Sequence, residues 1–451
     1  MTLPEGPREH PLVTTWRWLR KPQELMESNR ARFGDVFTMK LPALPPIVMF
    51  CNPEAVKEVF ADDGETLAAG KFNLSLRAFL GDHSVLMLDG KEHMRHRKLL
   101  LPPFQGERMQ AYGQAMIDLT NDSIDAWPLR EAFAVHGRMQ GITMRVIVRT
   151  VFGFERGPGF ERMCALLTRM LDLASWPPLL IPTFQVDLGR FSPWGRFQRT
   201  AAEVTAALLE QIRERRRDGE AATGRNDVLA LLIAARDEQG APLRDEEIMG
   251  ELVTLLVAGH ETTATTLAWA FRLVLGAPEV KTRLTSELSL ALAQGALTPE
   301  RVSKLEYLDA VVRETLRLQP VVPIVGRILE RDTTLGGHAL AKGTAVACSI
   351  FLAQRRASVY PDPTRFDPAR FLGKKFTPNE FFPFGGGIRR CIGMAFALYE
   401  IKMVLATALC RTQLRLAPGP PPTVARRSIT LTPSDGTRVI VDQRSPRAAS
   451  A

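Results

Sequence analysis

One cysteine in this sequence, Cys391, stands where its chemistry would differ from that of an ordinary buried thiol. It belongs to the glycine-rich run FGGGIRRCIG at 384–393, and an amphipathic run, MAFALYEIKMVLATAL, follows directly. Loop glycines let the backbone approach a flat ligand and turn N–H groups toward sulfur. A helix that begins here favours the thiolate over the thiol. Cys391 is therefore a candidate metal ligand, and the alternative is an incidental cysteine after a glycine loop.

A second candidate site lies inside a long apolar stretch. The run AGHETT places Ala258, Glu261 and Thr262 at i, i+3 and i+4, on one face of a helix. A carboxyl group beside a hydroxyl is costly to bury there unless partners or water satisfy both, so the pair predicts a hydrated functional position. The alternative is that the Thr262 hydroxyl bonds a carbonyl of its own helix and bends the helix locally.

The cysteine run resembles the haem-binding signature of the cytochromes P450, F-x-x-G-x-R-x-C-x-G. Its five fixed positions fall at Phe384, Gly387, Arg389, Cys391 and Gly393. The resemblance implies that Cys391 is the proximal thiolate ligand of the iron in haem b, iron protoporphyrin IX. Such ligation favours cleavage of the O–O bond, and hydrogen bonds to the sulfur set the potential of the iron.

The AGHETT run is similar to the P450 motif [AG]-G-x-[DE]-T-[TS]. By this resemblance Ala258 belongs to the oxygen-binding groove beside the haem. Thr262 would hydrogen-bond the bound dioxygen, and Glu261 would help to relay protons. Thr262 and Glu261 are thus the predicted catalytic residues.

A third motif concerns structure rather than catalysis. Glu314 and Arg317 in VVRETLRL match the family's E-x-x-R motif, although such a pair is an ordinary surface ion pair in most proteins. Downstream, FDPARF at 366–371 resembles the family's Pro/Arg/Phe segment. The resemblance implies that Arg370 joins Glu314 and Arg317 in a network beneath the haem.

Haem also brings two propionates, whose charges need cationic partners when they are partly buried. His93 and Arg97, one helical turn apart in HMRHR, resemble the family's W/H-x-x-x-R motif. Arg389 in the cysteine loop and Arg327 in PIVGRILERD are the other candidates. Simple exposure to solvent is the alternative for each arginine. A zinc site at His93 and His96 would lack a positioned third ligand.

The elements that must position these residues are mostly helical, and shorter extended runs lie toward the two ends of the sequence. The segment 68–88 has no clean period, so it is either a binding loop or an irregular core segment. The apolar, Pro-rich stretch 173–195 is a candidate lid. Helices are predicted at 22–33, at 53–60, through most of 90–290 and at 392–412. Within 90–290, Asp227 is predicted to cap one helix, and another is predicted to run from 244 or 245 to about 275. Strands are predicted at 36–41, 47–50, 344–350, 428–432 and 437–441.

We therefore predict a mainly α protein with a smaller β portion, the cytochrome P450 fold. No internal repeat or extended linker divides the sequence, and no G-x-G-x-x-G follows a strand. The whole chain, 1–451, is expected to form a single domain. Its parts would be an N-terminal β-containing region (about 1–65), a helical body (about 66–320) and a mixed β and loop region with the haem-ligand loop (about 321–451).

Composition narrows the class of protein further. The formal charge of +9 is spread along the chain without a groove-reading motif, which argues against nucleic-acid binding. The first dozen residues lack the apolar core of a signal peptide or membrane anchor, so we expect a cytoplasmic protein with no membrane span. Five cysteines at 51, 164, 348, 391 and 410 show no paired spacing, and all but Cys391 are predicted to be small buried hydrophobic residues.

The sequence resembles most the bacterial P450s that receive electrons from a separate partner protein. This resemblance implies a monooxygenase. It would use O2 and two electrons from ferredoxin and ferredoxin reductase, or flavodoxin, and act as a monomer. The pocket would draw on apolar segments, so the substrate is expected to be lipophilic, such as a terpenoid, steroid or fatty acid. Two alternatives are a peroxygenase or rearranging enzyme of the same fold and a non-enzymatic haem protein. The apolar segments expected to line the substrate pocket are 72–80, 173–195, 256–259, 321–325 and 430–432.

Overall fold

The computed structural model of the chain describes residues 2–42, 44–62, 64–105, 108–175, 185–218, 225–427 and 429–447. Helices form most of the regular structure, and strands lie toward the two ends of the sequence. The helices are α1 (Pro11–Arg20), α2 (Pro22–Phe33), α3 (Pro53–Ala61), α4 (Ala69–Phe72), α5 (Arg77–Leu80), α6 (Gly90–Leu100), α7 (Arg108–Asp125), α8 (Val135–Thr150), α9 (Pro158–Ala174), α10 (Pro193–Asp218), α11 (Val228–Ala234), α12 (Asp245–Leu275), α13 (Pro278–Ala293), α14 (Pro299–Ser303), α15 (Glu306–Leu318), α16 (Ile350–Ala353) and α17 (Met394–Arg411).

The strands form two sheets and two hairpins. A five-stranded sheet has the order β1-β2-β8-β5-β3, and a three-stranded sheet has the order β4-β12-β9. In the larger sheet β2 runs parallel to β8, whereas the other pairs are antiparallel. The strands are β1 (Val36–Met39), β2 (Ile47–Phe50), β3 (Leu67–Ala68), β4 (Ala132–Ala134), β5 (Ile324–Leu329), β6 (Thr333–Leu335), β7 (His338–Leu340), β8 (Ala345–Ser349), β9 (Thr412–Leu416), β10 (Val424–Arg427), β11 (Thr430–Pro433) and β12 (Arg438–Arg444).

The longest helix, α12, is the central support of the site. It begins in a capping arrangement in which the Arg244 N–H donates to the Glu247 carboxylate at 2.7 Å. Three acidic residues occupy its first turn, where they favour the positive end of the helix dipole. Most of its side chains are buried against α8, α15 and α17, so its apolar character reflects a position in the core. Across the described ranges, no helix is both long and apolar enough to cross a bilayer.

The structure confirms a mainly α fold with a smaller β portion. The predicted helix at 22–33 is α2, and Asp227 caps α11 by accepting the Ala230 N–H at 2.9 Å. The last helix runs over 394–411, slightly inside its predicted limits. The segment 68–88, for which a binding loop and an irregular core segment were the two alternatives, is divided into short elements: β3's last residue, α4, a 3-10 turn and α5. Of the candidate lid at 173–195, residues 176–184 lie outside the described part.

Helix α1 is missing from the sequence prediction, which began the helical part at position 22. It starts at Pro11, a residue that suits the first helical position because its lack of an N–H costs nothing there. The His10 side chain accepts from the Leu12 N–H and caps the helix. Its apolar residues are largely exposed, including Leu12 and Trp16. Thr14 and Trp18 are its buried residues.

The five cysteines differ in their exposure to solvent. Cys51, Cys164 and Cys348 are buried, as predicted, whereas Cys410 is half-buried. Burial raises the pKa of the Cys164 thiol to about 12, so this cysteine stays protonated at neutral pH. Cys391 alone among the five is exposed.

Candidate functional site

The loop that carries Cys391 is held tightly against α3. The Cys391 N–H donates to the Phe384 carbonyl at 2.9 Å, and a 3-10 turn at Gly387–Arg389 precedes the cysteine. A Cβ added at Gly386 would lie 2.1 Å from the Phe60 ring, and one at Gly387 would lie 2.2 Å from the Phe60 carbonyl oxygen. Gly387 also has a φ of +62°, which favours glycine. The glycines are therefore required by the close packing of this loop.

Several groups favour the thiolate form of Cys391. Burial among protein atoms raises the pKa of the thiol above its usual value, and three groups offset part of that rise. The Gly393 N–H donates toward the sulfur, and the positive charges of Arg97 and Arg390 lie close enough to stabilise the anion. A cysteine sulfur with an N–H donor and nearby cations has the character of a metal ligand.

Positive charge collects beside this loop without enough negative charge to balance it. His93 is buried, and its Nδ1 has no hydrogen-bond partner among the described residues. Burial and the charges of Arg389, Arg97 and Arg327 lower the pKa of His93 to about 3, so the ring is neutral. The Arg97 guanidinium also has no hydrogen bond or ion pair within the described ranges.

The two other arginines are partly engaged. Arg389 donates to the Val85 carbonyl at 3.1 Å and bonds the carbonyl of Leu88 and the carboxylate of Asp89. Arg327 is buried and donates to the carbonyl of its neighbour Gly326 at 2.8 Å. Burial and the charges of Arg327 and Arg97 lower the pKa of Arg389 to about 10, which Asp89 only partly offsets.

This donor set fits a haem. Cys391 offers one soft ligand to an iron, and the excess of cationic groups around His93 suits two propionate carboxylates. Among the described residues no three His, Cys, Asp or Glu side chains form a metal cluster. His96 bonds the buried carboxylate of Glu251 at 2.7 Å instead of facing a metal with His93.

The candidate catalytic face of α12 opens onto a cavity. Ala258 is exposed although it lies in the middle of a buried helix, and Thr262 one turn later is half-buried. The Thr262 hydroxyl donates to the Ala258 carbonyl at 2.6 Å. This is the hydrogen bond that the sequence left open as the alternative for Thr262. It uses the hydroxyl proton but leaves oxygen lone pairs to accept another donor.

Glu261 is held by residues that the sequence analysis did not single out. Gln140 donates to its Oε2 at 2.7 Å, and His136 Nε2 lies 3.3 Å from its Oε1. Burial raises the pKa of Glu261, but His136, Arg427 and Gln140 outweigh that effect and hold it at about 2. The i, i+4 spacing of His136 and Gln140 in α8 shows that they share a helix face. Nothing local shows that this face meets α12.

The cavity has a volume of about 320 Å³, with an apolar part and a polar part. Three of the predicted pocket segments, 72–80, 256–259 and 430–432, contribute to its lining, and Ala174 and Ser175 come from 173–195. No residue of 321–325 is among its described lining residues, and the charged residues Asp172 and Arg427 were not anticipated. The apolar lining includes Leu76, Phe79, Leu80, Leu86, Leu171, Val257 and Ile429, and the polar lining includes Gln140, Thr168, Asp172, His260, Glu261, Thr262 and Arg427.

Glu314 and Arg317 form a buried pair. Both side chains have no exposed area, and Arg317 reaches the two carboxylate oxygens of Glu314 at 2.6 and 2.8 Å. Arg317 also donates to the carbonyl groups of Gln354 and Pro363. Arg370 Nε lies 3.5 Å from Glu314, so the three residues meet as the resemblance implied.

Comparison with known proteins agrees with this geometry. A family model for cytochrome P450 matches residues 4–441. A protein named cytochrome P450 135B1, from Mycobacterium tuberculosis, is 36% identical over 451 residues and covers 100% of this chain and 93% of that relative. Cytochrome P450 135A1 of the same species is 33% identical over 445 residues, which is 98% of this chain and 96% of the relative.

Two solved structures share the fold. Retinoic acid-bound cyanobacterial CYP120A1 superposes with a TM-score of 0.84 at 26% identity, over 98% of this chain and 99% of that one. The cytochrome P450DA heme domain gives a TM-score of 0.86 at 24% identity, over 99% and 98%, and shows the fold alone. The chain therefore belongs to the cytochrome P450 family and is a haem-dependent monooxygenase.

Proposed function

We propose that this enzyme inserts one oxygen atom from O2 into a lipophilic substrate, giving a hydroxylated product, with electrons from a separate protein. In this proposal Cys391 would bind the iron of haem b through its thiolate, and Phe384, Gly387 and Gly393 would shape its loop. Glu261 and Thr262 act in proton delivery beside Ala258. The partners of the propionates are His93, Arg97, Arg327 and Arg389.

The observation that carries the proposal is the cavity along α12. Its apolar residues come from the 76–80 segment, Leu86, α9, α12 and Ile429, and they line the same space as Thr262 and Glu261. A pocket with an apolar lining and a few polar groups suits a lipophilic molecule. The cyanobacterial relative was solved with bound retinoic acid, itself a lipophilic compound.

The chain's own residues would divide the work of the reaction. Bound haem supplies the reductive activation of dioxygen, which a thiolate ligand promotes. Glu261 is ionised at neutral pH, so it would accept a proton from water and pass it on rather than store one. The Thr262 hydroxyl donates its proton to the Ala258 carbonyl, so its oxygen would accept a hydrogen bond from a proton donor in the cavity, such as water.

We also propose that the electron donor is acidic, a ferredoxin served by a ferredoxin reductase, or a flavodoxin. Arg390 directly precedes Cys391 and is exposed. Lys91 and Lys98 are exposed on α6, the helix that carries His93 and Arg97. Complementary charge accelerates encounter between such partners, and salt weakens it.

The ligand assignment is tested by spectroscopy of freshly prepared protein. The reduced carbon-monoxide complex should absorb near ~450 nm if a thiolate binds the iron. Cys391→Ala should lose this band, whereas Cys164→Ala, which changes a buried thiol elsewhere, should keep it. A band typical of His-ligated haem in the wild type would overturn the assignment.

The use of O2 is tested at Thr262. Thr262→Ala should lower product formed with O2 and reduced ferredoxin by about tenfold or more, and Thr262→Ser should restore much of it because it keeps the hydroxyl. Undiminished product from peroxide alone, together with unchanged O2-driven product in Thr262→Ala, would favour a peroxygenase instead.

The donor is tested by charge reversal. Arg390→Glu should slow reduction by an acidic ferredoxin and flatten its dependence on salt. Arg20→Glu makes the same change in net charge on α1 and should leave the rate near that of the wild type. Equal effects of the two variants would show that the surface beside Cys391 does not receive the donor.

A further inference from the structure

One charged side chain in the cavity wall is not used by the mechanism above. Arg427 ends β10 and lines the cavity, with about a third of its side chain, 34%, exposed. Its Nη2 lies 3.6 Å from Asp172 Oδ1, and its Nε lies 3.8 Å from Glu261 Oε1. Both distances exceed those of N–H···O hydrogen bonds. Within the described ranges, none of the guanidinium donors of Arg427 has a hydrogen-bond partner.

Glu261 and Asp172, the two carboxylates near Arg427, are each stabilised by other groups as well. Glu261 already accepts from Gln140 at 2.7 Å and from Thr265 at 3.2 Å. Asp172 lies at the end of α9 with 65% of its side chain exposed, so water can solvate it. The two carboxylates favour the charge of Arg427 but lie too far away to accept hydrogen bonds from it.

The polar group and the apolar lining belong to one cavity. Leu76, Phe79 and Val257 line the same space as Arg427. A molecule that filled this space would bury most of its surface against hydrocarbon and would meet N–H donors of Arg427 that make no hydrogen bond within the described ranges. Ligands commonly gain orientation from a few such polar groups in an otherwise apolar pocket.

Building on the proposed function, we infer that Arg427 binds an oxygen acceptor, a carbonyl or carboxylate, at one end of the lipophilic substrate. The planar guanidinium can donate two parallel hydrogen bonds to such a group. This contact fixes which end of the molecule lies at β10, and so limits which carbon reaches the Ala258 and Thr262 face. Arg427 is thus a specificity-determining residue of the site.

The test measures binding to the ferric holoenzyme through the low-to-high-spin absorbance shift. The probes are a long-chain fatty acid, its methyl ester and the hydrocarbon of equal length. In the wild type, acid, ester or both should bind roughly tenfold to hundredfold more tightly than the hydrocarbon. The acid-to-ester ratio separates a carboxylate from a carbonyl as the preferred acceptor. A hydrocarbon that binds as tightly as both overturns the inference without any variant.

Two variants locate the preference. Arg427→Met keeps a long side chain but removes the donors, and it should bind all three probes alike. Leu76→Ala enlarges the same cavity without changing its polar groups, so it should weaken all three by a similar factor. A preference for the acid or ester that survives in Arg427→Met contradicts the inference.

The proposed function is tested independently in the same samples, through the reduced carbon-monoxide spectrum. Its failure would show as a reduced carbon-monoxide band without thiolate character, before any probe is added. The inference about Arg427 fails instead when that band is normal and the oxygen-bearing probes show no Arg427-dependent advantage. Once product formation can be measured, Arg427→Met should also oxidise the acid or ester at more positions than the wild type does.

Discussion

The Gln140 amide donates to the Glu261 carboxylate across 2.7 Å and thereby joins α8 to α12 at the wall of the cavity. This bond and the nearby His136 orient the carboxylate and keep it ionised. For the proton relay proposed above, a defined position of the carboxylate matters more than a high pKa. The pairing therefore explains how a carboxyl group can remain at an apolar site.

Replacing Glu261 should impair proton delivery more than binding. Glu261→Gln keeps the shape but cannot accept and pass a proton, so kcat should fall by about a hundredfold. The spectral Kd of a substrate should change by only about twofold to threefold. The solvent isotope effect on turnover should rise. Gln140→Leu, which leaves the carboxylate but removes one of its donors, should have a smaller effect on kcat, and equal losses would contradict a relay role.

The Glu314 and Arg317 pair should matter for stability because it is fully buried. Glu314→Ala leaves an uncompensated charge on Arg317 and should cost about 3–5 kcal/mol in the free energy of unfolding. Arg313→Ala breaks a partly exposed pair with Asp309 on the same helix and should cost about 0.5 kcal/mol or less. Denaturant unfolding of both holoproteins makes the comparison, and similar costs would contradict the role of burial.

Acid should destabilise the protein partly through His260. Burial lowers the pKa of His260 to about 4, below the usual value of 6.5, so the folded protein takes up the proton later than the unfolded chain. Stability is therefore lost as pH falls from 6.5 toward 4. Glu261 beside it stays ionised in this window because its pKa is about 2.

His260→Gln tests this effect because glutamine does not titrate. The wild type should lose roughly 1.5 kcal/mol relative to the variant between pH 6.5 and 5, because the unfolded chain binds up to one proton more than the folded protein in this range and a full proton costs ~1.4 kcal/mol per pH unit. Unfolding free energies at several pH values give the difference. Parallel pH profiles for the two proteins would show that His260 contributes nothing.

The packing of the cysteine loop on Phe60 predicts a cost for a single methyl group. The Phe60 ring is packed edge-on against Phe382 at 5.3 Å, so it cannot move away readily from a Cβ at Gly386. Gly386→Ala should lower stability by about 1–3 kcal/mol and reduce haem content. Gly159→Ala, where a Cβ meets nothing within 4 Å, is the control. Normal haem content in Gly386→Ala would contradict this account of the loop.

The cysteine loop and the α12 face were predictable because their information is local. Cys391 and its loop occupy ten consecutive positions, and Ala258, Glu261 and Thr262 follow helical spacing. The parallel pairing of β2 with β8 was not predictable, because it joins strands from opposite ends of the chain. Sequence periodicity describes the face of an element and does not identify the element it meets.

The same distinction applies to the chemistry. The amino-acid sequence by itself determined the glycine-rich loop with its cysteine, the acid and alcohol on α12 and the mainly helical fold. Only the tertiary structure decided that Glu314 and Arg317 are buried, that His136 and Gln140 face Glu261, and that Arg427 enters the cavity. Burial and partner choice depend on groups far apart in the chain, and those groups meet only when the helices and sheets pack together.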